Sequence, residues 1–245
     1  MDSARRISRP TLIIGIALIA VVVLGLTAII IGRAWSGRDH DGRRGGPVTV
    51  SAPTDGRDHA TLEVLDGVSE LRLHAGAPGD DLYRITGSGV SPRVDQDDDT
   101  FRLGLGAVGD SSTSTVDIAV ASGVAWTLRL DGGTRRTAID LTDGRVTAID
   151  LSGGASLIEV DLPAPDALVP VRMTGGVDQF HVRRPAAVSV RAQLGSGAGQ
   201  VTIDGTPHQG VAGGQSFTAG NWQAGAAGVD VQATAGVGTL VITPR

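Results

Sequence analysis

The chain has 245 residues and a formal net charge of −5; Cys is absent, all 21 basic residues are Arg, and few residues are aromatic. Without Cys there are no disulfides, thiolate zinc sites, Cys nucleophiles or lipid-modified N-terminal cysteines. The acidic balance and scarce aromatics argue against a nucleic-acid partner, and a 41% hydrophobic content suits one or two folded domains.

The first ten residues carry Arg5, Arg6 and Arg9 and are expected to form a basic cytoplasmic tail. Residues 11–32 are uncharged and rich in Ile, Leu, Val and Ala. At roughly 1.5 Å per residue this run spans a bilayer core as one helix, so it is expected to be a transmembrane anchor with the lipid bilayer as its partner. Ala34-Trp35-Ser36 could serve as a cleavage site, but the apolar run is longer than a signal peptide needs. The arginines flanking the run nearly balance, at 5, 6 and 9 against 33, 38, 43 and 44. The expected orientation, N-terminus inside and large domain extracytoplasmic, therefore leans on the shortness of the basic tail. Residues 33–58 are expected to be a flexible linker, because Arg33 to Pro47 mixes charge and glycine with no apolar period.

Residues 59–245 are expected to form the folded domain. Thr61-Leu-Glu-Val-Leu, Phe101-Arg-Leu-Gly-Leu, Val116-Asp-Ile-Ala-Val and Trp126-Thr-Leu-Arg-Leu alternate apolar and polar between Gly and Asp punctuation, which predicts an all-β domain. Glycine, three residues, apolar, any, apolar recurs at Gly154 (Ile158, Val160), Gly176 (Phe180, Val182), Gly197 (Val201, Ile203) and Gly236 (Leu240, Ile242). Looser copies begin at Gly67 and Gly133, and the starts at 133, 154, 176 and 197 lie 21, 22 and 21 residues apart. That period predicts stacked coils with the alternate apolar residues inside and glycine turning the corners. A β-sandwich with two regular strands per repeat gives the same spacing and is the alternative. The segment Gly205 to Gly225 interrupts the period and is expected to be a cap or contact loop.

Trp126-Thr-Leu-Arg-Leu-Asp-Gly-Gly, Ile149-Asp-Leu-Ser-Gly-Gly-Ala-Ser, Val160-Asp-Leu-Pro, Val171-Arg-Met-Thr-Gly-Gly-Val and Val201-Thr-Ile-Asp-Gly together resemble the bacterial putative-adhesin or toast-rack domains. These are similar to the C-terminal domain of LiaF-like cell-wall antibiotic-response proteins. The resemblance covers roughly residues 60–245. It implies a single-stranded right-handed β-solenoid attached to the envelope, and it brings no catalytic residues with it.

The sequence assigns no catalytic, cofactor-binding or metal-binding residue. Gly104-Leu-Gly-Ala-Val-Gly109 matches a dinucleotide fingerprint by letter but leads into a strand, so a hairpin is expected. Asp95-Gln-Asp-Asp-Asp99 has Thr100 where a calcium loop needs glycine, and reads as a solvated turn. His40, His59, His74, His181 and His208 lack metal-ligand spacing, and His181 is expected to point outward between Phe180 and Val182. Trp126 and Trp222 are expected in the core or an end cap before any sugar site, and Pro163 and Pro165 are expected to end a strand. The leading expectation is a structural or interaction module facing an envelope protein or the cell wall, in adhesion or envelope-stress signalling. A polysaccharide-binding or polysaccharide-processing β-helix is the alternative, with Asp140, Asp150, Glu159 and Asp161 as its outward acids.

Overall fold

The computed structural model describes residues 46–108 and 113–245. The basic tail, the 11–32 segment and residues 33–45 of the linker lie outside the described residues.

The middle of the domain follows the sequence period. Strands β8 (Ala125–Leu130), β10 (Arg145–Leu151) and β12 (Leu168–Met173) alternate along the chain with β9 (Thr134–Asp140), β11 (Ala155–Asp161) and β13 (Val177–Arg184). β8, β10 and β12 pair in parallel in one sheet, and β9, β11 and β13 pair in parallel in a second. Val160 is thereby in register with Ile139 and Val182, and Leu151 with Leu130 and Met173. A sandwich of hairpins would pair sequential strands antiparallel, so this pairing decides for the β-solenoid. Period-two alternation places Ile158, Val160, Phe180, Val182, Val201 and Ile203 inside, none more than 6% exposed, as their spacing predicts. The apolar rows of the two sheets meet in one continuous core.

Glycine does its work at the corners differently from the expectation. Asp131-Gly132-Gly133, Ser152-Gly153-Gly154 and Thr174-Gly175-Gly176 join the two sheets, and none of these glycines has positive φ. Their constraint is stacking: a Cβ on Gly153 would lie 2.2 Å from the Gly132 carbonyl oxygen, and one on Gly175 would lie 2.5 Å from that of Gly153. The N–H groups of Ser152 and Thr174 donate to Leu130 and Leu151 at 2.9 Å, continuing the ladder round the bend.

Both ends depart from sequence order. After β14 (Val190–Leu194) and β15 (Ala198–Ile203), β16 (Thr206–Val211) and β17 (Gln215–Ala219) turn back antiparallel. β18 (Gly228–Ala233) and β19 (Val237–Pro244) then enter between the coil of β12 and β13 and that of β14 and β15. The repeat beginning at Gly197 is thus not next to the one at Gly176, contrary to the order its spacing suggests. The 205–225 insertion supplies the outermost strand of each sheet, which is the capping role expected of it.

The other end mirrors this. The coil of β2 (His59–Val64) and β3 (Val68–Ala75) stacks directly on β8 and β9. The later coil of β6 (Thr100–Ala107) and β7 (Thr115–Val120) lies outside it. β4 (Asp81–Ser88) and β5 (Val90–Asp97) close the end antiparallel. β1 (Val48–Pro53) pairs antiparallel with β4 as the edge of the ten-stranded sheet. The second sheet has nine strands, with β5 and β17 at its edges. Part of the stretch read as a 33–58 linker is therefore β-structure. Its Val48-Thr-Val-Ser-Ala alternation is only five residues long and sits between glycines and prolines, which hid it.

Candidate interaction surface

The four outward acids singled out from sequence do not form one site: Asp140, Glu159 and Asp161 gather about Arg183 on one sheet, and Asp150 lies on the other. Asp150 lies on β10, in the nine-stranded sheet, whereas Asp140, Glu159 and Asp161 lie on the ten-stranded one. Three of them face arginines of the neighbouring coil: Asp150 with Arg172 at 3.2 Å, Glu159 with Arg136 at 2.6 Å, and Asp161 with both Nε and Nη2 of Arg183. Asp140 is in register with Asp161. Hydrogen bonding to Thr142, whose backbone N–H lies 3.0 Å away, holds the Asp140 carboxyl below its ordinary value. A general acid of a glycosidase needs its pKa raised, so the shift at Asp140 runs the other way.

The nine-stranded sheet carries an outward row of alternating charge across successive coils: Arg102, Glu63, Arg129, Asp150, Arg172. Glu63 accepts from Arg102 at 3.1 Å and Arg129 at 2.6 Å. Beside it, Thr100, Thr61 and Thr127 share a row, and the Thr127 hydroxyl lies 2.9 Å from that of Thr147. Such a face is polar and self-neutralised. It suits broad, shallow contact more than capture of a small ion.

The aspartates of 95–99 form the β5–β6 hairpin, with Asp98 at φ 52° and Asp99 facing Arg57 at 3.1 Å and His59 at 3.2 Å. Asp58, 2.6 Å from the His59 ring, raises the imidazole pKa first by hydrogen bonding and then by charge, with Asp99 adding to it. Among the described residues no three His, Asp or Glu side chains converge as a metal site. Gly104 and Gly106 lie inside strand β6 and not in the expected hairpin, and Gly109 is outside the described residues. His181 is half-buried between the fully buried Phe180 and Val182. Pro163 and Pro165 follow the end of β11, as expected of residues that cannot donate to a ladder. A groove of about 250 Å³ runs between Arg145–Thr147 and Pro163–Val169.

Trp126 is fully buried, its indole N–H donating to the Ala121 carbonyl at 3.0 Å. Trp222 is half-buried, and the Arg191 guanidinium covers its ring at 5.1 Å. Arg191 in turn makes a bidentate pair with Asp230 at 2.8 and 2.7 Å, and Gln232 and Gln193 also donate to that carboxylate. Burial alone would raise the Asp230 pKa, but the hydrogen bonds from Arg191 and Gln232 and the arginine charge outweigh it, leaving it lowered. Asp230 is 2% exposed although it points away from the core. Sequence alternation gives no sign of this, because Val-Asp-Val-Gln reads like any outward strand position. Arg184 is the other surprise: it lies inward at the end of β13, fully buried, and bonds Asp204 at 2.6 Å.

No protein-family model and no curated protein matches the sequence. Among solved structures the chain is similar to a putative cell adhesion protein from Clostridium sporogenes, with a TM-score of 0.65 at 18% identity, covering 82% of this chain and 99% of that one. Putative adhesins from Bacteroides fragilis and Parabacteroides distasonis also match, each at 10% identity with a TM-score of 0.22. They cover 84% and 81% of this chain, and 100% and 97% of their own. The Clostridium likeness is one of fold, and it agrees with the solenoid assigned from strand pairing.

Proposed function

We propose that this chain is a single-pass envelope protein. Residues 11–32 anchor it in the cell membrane, residues 1–10 stay inside, and the β-solenoid stands outside as a structural or interaction module in adhesion or envelope-stress signalling. The observation that carries the reading is the outer face of the nine-stranded sheet, where arginines and acids neutralise one another along the row from Arg102 to Arg172. A surface of that kind meets another surface, an envelope protein or the wall itself. The name of the similar Clostridium structure, a putative cell adhesion protein, supports it, as does the resemblance to LiaF-like proteins.

The test has three readouts. Full-length chain should remain in membrane pellets after alkaline carbonate, with the β-domain open to external protease on intact cells. Beads carrying the chain should bind purified envelope or wall fragments, and reversing Arg129 and Arg172 to Glu should weaken the binding. A secreted mature form beginning near Gly37 would overturn the anchor. Unchanged binding by the reversed variant would overturn the assigned face.

A further inference from the structure

The two ends of the solenoid expose four edge strands, and they differ in how they are protected against pairing. At one end β5 carries Pro92, Arg93, Asp95 and Asp97, all of which discourage a new partner strand. At the other, β16 carries Pro207, and β17 has five residues held between Gly214 and Gly220, both at positive φ. β1 has no such guard. Its Val48-Thr-Val-Ser-Ala is uncharged and free of proline until Pro53, and among the described residues nothing pairs with its outer edge. Val48 is one of only two exposed large hydrophobic residues among those described.

We infer that β1 pairs antiparallel with β1 of a second copy of this chain, joining two solenoids end to end about a two-fold axis. The strand is self-complementary under that operation. Centred on Val50, it sets Val50 against Val50, Val48 against Ala52 on the layer-facing side, and Thr49 against Ser51 on the outer side. Apolar residues meet apolar ones, and hydroxyls meet hydroxyls. An axis perpendicular to the sheets continues both layers at once, because it reverses strand direction while keeping each sheet on its own side. The β5 strands, which pack against β1 across the layers, are then brought side by side, and Pro92 keeps them from completing a ladder there. Centred on Val94, they place Arg93 of each copy opposite Asp95 of the other. Head-to-tail stacking fares worse for β1, which it would set against the proline-bearing β16 in place of an unguarded strand. Closed pairs are favoured over fibres.

The contact is small, two strands of six to eight residues a side in layers about 10 Å apart, below the size of a standard interface. It therefore gains from co-anchoring in one membrane. To that extent its strength, though not its geometry, rests on the proposed anchor.

The absence of cysteine makes the test clean. Full-length chains carrying Thr49→Cys and Ser51→Cys are co-expressed and their membranes treated with copper phenanthroline. Opposite residues have Cβ atoms within bridging reach and diagonal ones do not, so the mixed pair should cross-link about tenfold more than either variant alone. Val50→Cys should bridge to itself, and adding Thr49→Lys should abolish the bridge. Equal cross-linking in all variants, no mixed product, or a Ser216→Cys bridge at the opposite end in place of these would overturn the pairing. Carbonate extraction of the same membranes reads the anchor separately, so failure of one proposal is distinguishable from failure of the other.

Discussion

The middle coils and the two ends are built from the same strands but solve different problems. Between β8 and β13 each coil lies on the one before it, so contacts reach about one repeat along the chain, and several outward charges, Asp150, Glu159 and Asp161 among them, find counterparts in an adjacent turn. At the ends the stack must stop. There the chain overshoots, turns strands antiparallel, and sets its outermost coils beyond ones that come earlier or later in sequence. A repeat can therefore specify its own propagation, while its termination needs instructions that are not repeated.

The sharpest way to probe that contrast is to delete the same side chain in each region. Phe180, fully buried in the middle stack, should cost about 3–5 kcal/mol as Phe180→Ala, read as the shift in urea unfolding. Phe217, half-buried beside His208 in the β17 cap, should cost only about 1 kcal/mol. Equal losses would mean that cap and middle are one packing environment.

The stacked corners come next. Gly153→Ala forces a methyl against the Gly132 backbone and should destabilise by about 3 kcal/mol, since the backbone has little room to yield.

Asp230→Asn tests the lock under the Trp222 segment. It leaves Arg191 without its counter-charge and should cost about 2–3 kcal/mol at neutral pH, less than a fully enclosed pair because Arg191 keeps some solvent. The pH dependence has a definite sign. A carboxylate lowered from its ordinary 3.8 stabilises the fold above that value and loses its contribution as pH falls through the folded pKa. The gap between wild type and Asp230→Asn should therefore close on moving from pH 7 toward pH 3. A gap that widens in acid would show that the pair does not hold the loop.

Exposed pairs on the ladder should be nearly silent. Glu159→Ala removes the partner of Arg136 on a solvent face and should change stability by less than about 1 kcal/mol. The smallest effect is expected at Gly236, the corner where an added Cβ meets nothing within 4 Å. Gly236→Ala should be neutral or stabilising by about 0.5 kcal/mol, in contrast to Gly153.

What could be read from sequence follows the same division. Ile158, Val160, Phe180 and Val182 were legible because alternation and a 21-residue period act over short distances, and the core they predict is the one found. The placement of β19 between β13 and β15 was not legible, because two apolar strands of the same pattern are interchangeable as neighbours and only the path of the 205–225 segment decides between them. β1 escaped for being short and set among glycine and proline. The burial of Asp230 escaped because its partners, Arg191 and Gln193 of β14 and Gln232 of β18, meet only through a strand order that alternation does not supply. The outward acids were legible as outward, but their pairing with arginines of the next coil depends on register, which alternation alone does not supply.

The position of β19 also bears on the order in which the domain can be made. β14 and β15 emerge from the ribosome well before β18 and β19, yet the native place of β14 and β15 is beyond that later coil. They can dock prematurely against β12 and β13, whose edges present the same row of apolar side chains, and must then let go for the later coil to enter. The far end of the stack is complete only once the strand that belongs in the middle has arrived.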